Sequence, residues 1–196
     1  MSEKYIILDT ETTGFEPGKI AQLAYIQMNE KLKIEKAKNF YFKLEEMPTS
    51  ASNIHHLTVE ALEELSNGKT FEDNFKEIKR DLSERILVSH NIAFDLSFLK
   101  AEYSKLNRTF APKTFCTMEA MTPKCNLSRV DPLTQEVTPK WPRLTEALDY
   151  WKIPKEKVLE FSTHIFKESK ALHDARWDTT ACMLIFRRLK MMEKKQ

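Results

Sequence analysis

No stretch of the chain approaches the apolar length needed to cross a bilayer, and the N-terminus MSEKYIILDTE carries acids where a secretory signal carries its apolar core. These absences argue against a membrane or exported protein, and a cytoplasmic location with no membrane partner is expected. Cysteine is scarce too. Cys116, Cys125 and Cys182 are odd in number and lack CxxC spacing, which argues against a disulfide framework and a structural zinc site. Net charge is nearly absent: 31 Lys and Arg against 29 Asp and Glu leave +2, too little to announce a nucleic-acid binder by itself. There is no internal repeat and no low-complexity block. What remains is an ordinary globular composition, and 196 residues are read most simply as a single domain spanning 1–196.

The pattern along the chain predicts an α/β fold. Residues 5–8 are a short apolar run of the kind that forms a strand buried on both faces, and Thr12, Thr13 and Gly14 read as the turn after it. IAQLAYIQM and LKIEKAKNFYFKL, separated by Asn29, Glu30 and Lys31, predict an antiparallel hairpin of residues 20–28 and 32–44. Thr58 is placed to cap a short helix, ended by Asn67 and Gly68. Thr70 and Asp73 form a capping box ahead of Phe71, Phe75, Ile78 and Leu82 at helical spacing. A strand at 86–89, a helix at 92–106 capped by Asn91 and a strand at 114–117 continue the order, with helices near 144–151 and 155–166. A last helix runs from about Asp174 into the basic tail. Pro123, Pro132, Pro139 and Pro142 mark 121–142 as a long surface loop.

Against this background some acids stand in expensive places. Asp9 and Glu11 end the first strand, and because side chains alternate along a strand, residues i and i+2 face one spot. Two carboxylates that close require a proton or a cation between them. In HNIAFDLSFLKAEY, Asp95 falls on the stripe of Ile92, Leu96, Leu99 and Tyr103 that must face the core. A carboxylate there needs a metal or a buried cation, and no neighbouring residue supplies the cation. In LHDARWDTTACML, His173 and Asp178 are five apart, about 140° around one regular helix, so they share a site best if His173 lies on the loop leading in. Asp9, Glu11, Asp95 and Asp178 are hard oxygen donors that suit Mg²⁺ or Mn²⁺. Such a four-carboxylate set typically holds two divalent cations about 3.5 to 4 Å apart, the arrangement of in-line phosphoryl displacement. Two such ions add +4 to the formal +2. His173, as a neutral imidazole, is the histidine placed to take a proton from water.

DTETTG, HNIAFD and HDARWD resemble, in order and spacing, the three exonuclease motifs of the DnaQ-like 3′→5′ exonucleases of the DEDDh subgroup, which includes RNase T and the epsilon-type exonuclease domain of DNA polymerase III. The match covers nearly the whole chain. It implies an RNase H-like fold, a mixed five-stranded central sheet flanked by helices. It also implies metal-dependent removal of nucleoside 5′-monophosphates from the 3′ ends of single-stranded nucleic acid, DNA favoured over RNA. Carried over by motif, Asp9 bridges both metals, and Glu11 binds one and approaches the terminal nucleotide. Asp95 and Asp178 complete the metal site, and His173 is the general base. Thr12 lies through its backbone against the terminal sugar. IHHLT resembles the segment whose histidine contacts the scissile end, which by position is His55, with His56 where a glycine is common. KWPRLTEAL also resembles a segment of bacterial members, without assigned chemistry, and Phe94 and Trp177 are expected in the core. The chain stops soon after the last motif, so a freestanding enzyme is expected, although docking to a polymerase partner through its surface stays open. Two other readings compete. An HD-type phosphohydrolase built on His173 and Asp174 leaves Asp9 and Glu11 unexplained and demands an all-helical fold. A catalytically silent nucleic-acid-binding or polymerase-associated domain would ordinarily have lost an acid or the histidine, and here every position is filled.

Overall fold

The computed structural model describes residues 3–169 and 172–193, so the end of the basic tail, Lys194 to Gln196, lies outside the described residues. Five strands make one mixed sheet: β1 (Tyr5–Thr12), β2 (Ile20–Met28), β3 (Ile34–Tyr41), β4 (Ile86–Ser89) and β5 (Thr114–Cys116). Their spatial order is β3-β2-β1-β4-β5. β1 pairs antiparallel with β2 and parallel with β4, which puts it at the centre, and β5 extends the parallel side. This is the mixed five-stranded, helix-flanked sheet expected of an RNase H-like fold.

Alternation along β1 divides its side chains between two cores. Ile6 and Leu8 pack with Leu23, Tyr25 and Leu87 beneath helices α3 (Phe71–Leu82) and α4 (Ile92–Lys105). Tyr5 and Ile7 face the other way, with Ile26, Met28 and Val88, onto Cys182, Met183 and Phe186 of helix α8 (Ala175–Glu193). A strand covered on both faces must be apolar throughout, which is why residues 5–8 read as a continuous run. Each fully buried aliphatic side chain there contributes about 2 kcal/mol by leaving water. Capping at α3 follows the sequence: the Thr70 side chain accepts from the Asp73 N–H, and Asp73 accepts from the Thr70 N–H at 2.8 Å. At the far end of α3, the Asp81 carboxylate accepts from the Tyr25 hydroxyl at 2.8 Å, from Arg80 Nε at 3.0 Å and from the Lys36 ammonium.

Several local expectations are corrected. Helix α1 (Thr49–His55) precedes α2 (Val59–Leu65), so IHH closes one helix and Thr58 caps the next, accepting from Ala61 N–H at 3.2 Å. Asn91 makes no side-chain cap; it sits before α4 in the left-handed region at φ 77°. The segment 121–142 lies at the surface but is not a loop. It holds the end of helix α5 (Thr117–Cys125) and an antiparallel hairpin of β6 (Ser128–Val130) and β7 (Val137–Pro139). Its turn is ordered locally, because the Asp131 carboxylate accepts from the N–H groups of Leu133 at 2.8 Å and Thr134 at 2.9 Å. Helices α6 (Leu144–Tyr150) and α7 (Lys155–Phe166) then pack with α8 around Leu148, Val158, Trp177 and Ile185. Among the described residues no helix is long and apolar enough to cross a membrane.

Candidate active site

The same alternation that builds the core delivers the acids. Asp9 and Glu11 follow Tyr5 and Ile7 onto the face covered by α8, and there they meet Asp178, one turn into that helix. The three carboxylates offer oxygens that all lie within 4.8 Å of one another. Thr10 points to the opposite face and meets α4: its N–H and hydroxyl donate to Asp95 Oδ1 at 3.0 and 2.8 Å. Ser89, at the end of β4, donates to Asp95 Oδ2 at 2.6 Å. Asp95 thus reaches the cleft from the α4 side with its carboxylate held by β1 and β4, and it stands apart from the close triad. All four acids line one cleft of about 520 Å³ together with His173, Asn91, Phe94 and Arg143.

The electrostatics are those of a buried anion cluster. Burial, then the charges of Asp95, Asp178, Glu11 and Asp174, push the Asp9 carboxyl well above the ordinary carboxylate range. Burial followed by Asp178, Asp174 and Asp95 does the same to Glu11. Asp178 is raised by burial, against the His173 N–H that donates to its Oδ2 at 3.0 Å. Asp95 is raised by burial in spite of its Ser89 and Thr10 donors. Carboxylates this close, in this degree of burial and without a Lys or Arg partner among them, fit divalent cations: the donor set is all hard oxygen.

The approach to α8 is fixed by a buried polar cluster that the sequence reading did not assemble. The Asp174 carboxylate accepts from Arg176 Nε at 2.9 Å, from Arg176 Nη2 at 2.6 Å and from Gln22 Nε2 at 3.1 Å. Gln22 Oε1 in turn accepts from Ala175 N–H at 3.3 Å. The Asp174 carbonyl then accepts from the N–H groups of Trp177 and Asp178, which starts the helix. His173, just ahead, is forced into the left-handed region at φ 66° and lines the cleft. Its placement on the loop and that of Asp178 in the first turns follow the spacing argument. Burial and the nearby His56 lower the His173 pKa, so the ring is neutral near pH 7.

His55 is 8% exposed and both of its ring nitrogens are engaged. Nδ1 accepts from the Leu57 N–H at 3.1 Å, which leaves the proton on Nε2 to be donated to the Thr12 carbonyl at 3.2 Å. His55 therefore braces the backbone of Thr12, next to the bulge between Glu11 and Thr12. These residues wall a second, smaller hollow of about 140 Å³ that shares Thr10, Glu11 and Phe94 with the first and is lined also by Phe15 and Ile54. His56 ends α1 at φ 61°, a left-handed position, which explains why a glycine suits it. Trp177 is buried as expected, but Phe94 is only partly so and forms the partition between the two hollows. Arg143, from the segment left without chemistry, is the other surprise. Only the cationic side chain facing a known group of acids across the cleft could have signalled it, and nothing local in KWPR does.

Residues 6–186 match the family model for the exonucleases typified by RNase T. Among curated relatives, the DNA polymerase III subunit epsilon of Rickettsia conorii is 38% identical over 112 residues, which cover 55% of this chain and 47% of that protein. Among solved structures, E. coli exonuclease I in complex with a 5cy-dT13 oligonucleotide superposes with a TM-score of 0.73 at 15% identity, covering 100% of this chain and 42% of that one. The zinc-bound form of an E. coli exonuclease I complex with single-stranded DNA superposes with a TM-score of 0.65 at 16% identity, covering 99% of this chain and 42% of that one. The chain spans less than half the length of these relatives, and its three motifs, its sheet and its match along nearly its whole length place it in the RNase T exonuclease family.

Proposed function

We propose that the chain is a metal-dependent 3′→5′ exonuclease that hydrolyses single-stranded nucleic acid, DNA before RNA, to nucleoside 5′-monophosphates. The observation that carries this reading is the convergence of Asp9, Glu11 and Asp178 within 4.8 Å, beside His173 and Asp95, in one open cleft. Asp9, Glu11 and Asp178 would hold the cations, with Asp95 completing the set. Two Mg²⁺ or Mn²⁺ ions there would offset the charge of the scissile phosphate and stabilise the attacking and leaving oxygens. The chain's own residues do the rest. Neutral His173 takes the proton from the attacking water as its oxygen bonds to phosphorus. The bond from phosphorus to the O3′ of the preceding nucleotide breaks, and that oxygen is protonated from solvent. Asp178, accepting from the His173 backbone, fixes the loop that carries the base. Thr12 and His55 wall the hollow for the terminal nucleotide, and Phe94 separates it from the hydrolytic centre.

Similarity to DNA polymerase III subunit epsilon supports a polymerase partner. Digesting one strand labelled at its 3′ end and the same strand labelled at its 5′ end tests the reaction. The reading expects the 3′ label to appear at once as a nucleoside 5′-monophosphate, while the 5′ label passes down a ladder. Early release of a 5′-labelled mononucleotide, or internal cuts, would refute it.

A further inference from the structure

The hairpin β6-β7 is not needed to build the acid centre, yet it is tied to it. Pro142, which follows it, accepts through its carbonyl from His90 Nε2 at 2.9 Å, and His90 Nδ1 lies 3.0 Å from the Thr117 hydroxyl at the start of α5. His90 itself adjoins Ser89, the donor to Asp95. The base of the hairpin is pinned by the Lys140 N–H donating to the Leu127 carbonyl at 2.9 Å. The Arg143 N–H donates to Glu146 at 2.7 Å, which fixes the residue that follows Pro142. Between these anchors Trp141 stands 67% exposed, the most exposed of the three tryptophans, flanked by the buried Pro142. Trp141 thus presents its indole to solvent two residues from a side chain that lines the cleft.

Arg143 supplies the complementary charge. It faces the acid-lined cleft, and among the described residues no carboxylate pairs with it within 4.0 Å, whereas Lys140 is neutralised by Glu146. An exposed aromatic plane and, two residues on, a guanidinium that lines the cleft with no ion pair within 4.0 Å among the described residues match one ligand chemistry: a base to stack on and a phosphate to grip. The acids Asp131 and Glu136 sit at the hairpin's tip, so the grip belongs to its base.

We propose that Trp141 and Arg143 form a strand-holding site for the single-stranded substrate upstream of its terminal nucleotide, Trp141 stacking on a base and Arg143 binding a phosphate. The proposal rests on the exonuclease reading for the identity of the strand. It makes the hairpin base a determinant of affinity for long strands, with no part in bond breaking.

The test uses the full chain in Mg²⁺ and a 5′-fluorescein-labelled (dT)₁₂ with phosphorothioate linkages, followed by anisotropy. Trp141→Ala weakens binding by about tenfold, the effect of losing one stacked base, and Trp141→Phe recovers most of it. Arg143→Gln also weakens binding and lowers the steepness of its salt dependence by about 0.7, the signature of one phosphate contact on a single strand. With unmodified DNA, the advantage of (dT)₁₂ over (dT)₂ in kcat/KM shrinks in Trp141→Ala through KM, while kcat at saturation holds. Wild-type affinity for (dT)₁₂ in Trp141→Ala, with the circular dichroism unchanged, would overturn the assignment and leave the exonuclease reading standing. Trp141-dependent binding without release of any mononucleotide would do the reverse.

Discussion

Replacing Asp178 with Asn removes one negative charge from a cluster whose oxygens lie within 4.8 Å of one another, while keeping the acceptor that holds the His173 N–H. At an effective dielectric of about 20, two unit charges that close repel by roughly 3 kcal/mol. Asp178 faces both Asp9 and Glu11, but the raised pKa values mean the cluster relieves part of this repulsion by taking up protons. The remaining gain from Asp178→Asn, in the absence of divalent metal at pH 7.5, is about 2 kcal/mol, or roughly 4 to 8 °C in the unfolding midpoint of a chain this size. A carboxyl whose folded pKa lies above its unfolded value of about 4 stabilises the fold only below that value, and the contribution is lost as pH rises through the folded pKa. Metal-free wild-type protein therefore loses midpoint temperature between about pH 4 and pH 8 relative to Asp178→Asn. Adding Mg²⁺ or Mn²⁺ at pH 7.5 raises wild type by mass action and narrows the gap. Differential scanning calorimetry in EDTA and in 10 mM Mg²⁺, a concentration chosen to saturate, reads all of this. If Asp178→Asn proves less stable than wild type in EDTA at pH 7.5, the electrostatic account of the site is wrong.

Other consequences are as direct. Arg176→Met leaves the Asp174 carboxylate buried without its bidentate partner beside an acid cluster, and should cost about 3 to 5 kcal/mol in urea unfolding; a loss under 1 kcal/mol would show that the pair does not hold α8 in place. For Asp81, burial raises the pKa, but donors from Lys36, Tyr25 and Arg80 outweigh it and leave the carboxyl below its ordinary value. Its stabilisation is present above the unfolded pKa near about 4 and lost as pH falls through the folded value. The urea-midpoint gap between wild type and Asp81→Asn, about 2 kcal/mol at pH 7, should close by about pH 2, and a gap that widened on acidification would contradict the assignment. His173→Gln should lower kcat about 10²- to 10⁴-fold and abolish the acid limb of the kcat/KM profile, which in wild type falls below the ordinary histidine pKa; an unchanged limb would move the general base elsewhere. His56→Gly, relieving a left-handed residue at φ 61°, should stabilise the protein by about 0.5 to 1 kcal/mol in the same unfolding assay.

The strand and helix that carry the motifs were legible because their physics is local. A run buried on both faces, a capping box at Thr70 and Asp73, and an acid on the apolar stripe of α4 each declare themselves within a few residues. The convergence of Asp9 with Glu11 followed from the period of a strand, and the position of His173 from the period of a helix. Long-range features were less accessible. That Asp95 stands apart from the triad depends on Thr10 turning to the opposite face of β1, and the Gln22, Asp174 and Arg176 cluster joins residues about 150 apart in sequence. Helix α1 is short and makes no side-chain cap, so it left no start signal. The hairpin hid among its prolines: Pro132 sits in the turn between the strands and Pro139 ends β7. Arg143 belongs to the cleft only because the Pro142 carbonyl is held by His90, a contact 52 residues long that no local pattern encodes.

The central claim is that the carboxylate cluster is the metal-dependent centre of a 3′→5′ exonuclease. A time course on matched 5′-labelled single-stranded DNA and RNA, in Mg²⁺, in Mn²⁺ and in EDTA, with Asp9→Asn alongside, tests it most directly. The account predicts a ladder shortening from the 3′ end in either metal, faster on DNA, abolished by EDTA and by the substitution. A ladder of equal rate in Asp9→Asn, or one that persists in EDTA, would contradict it.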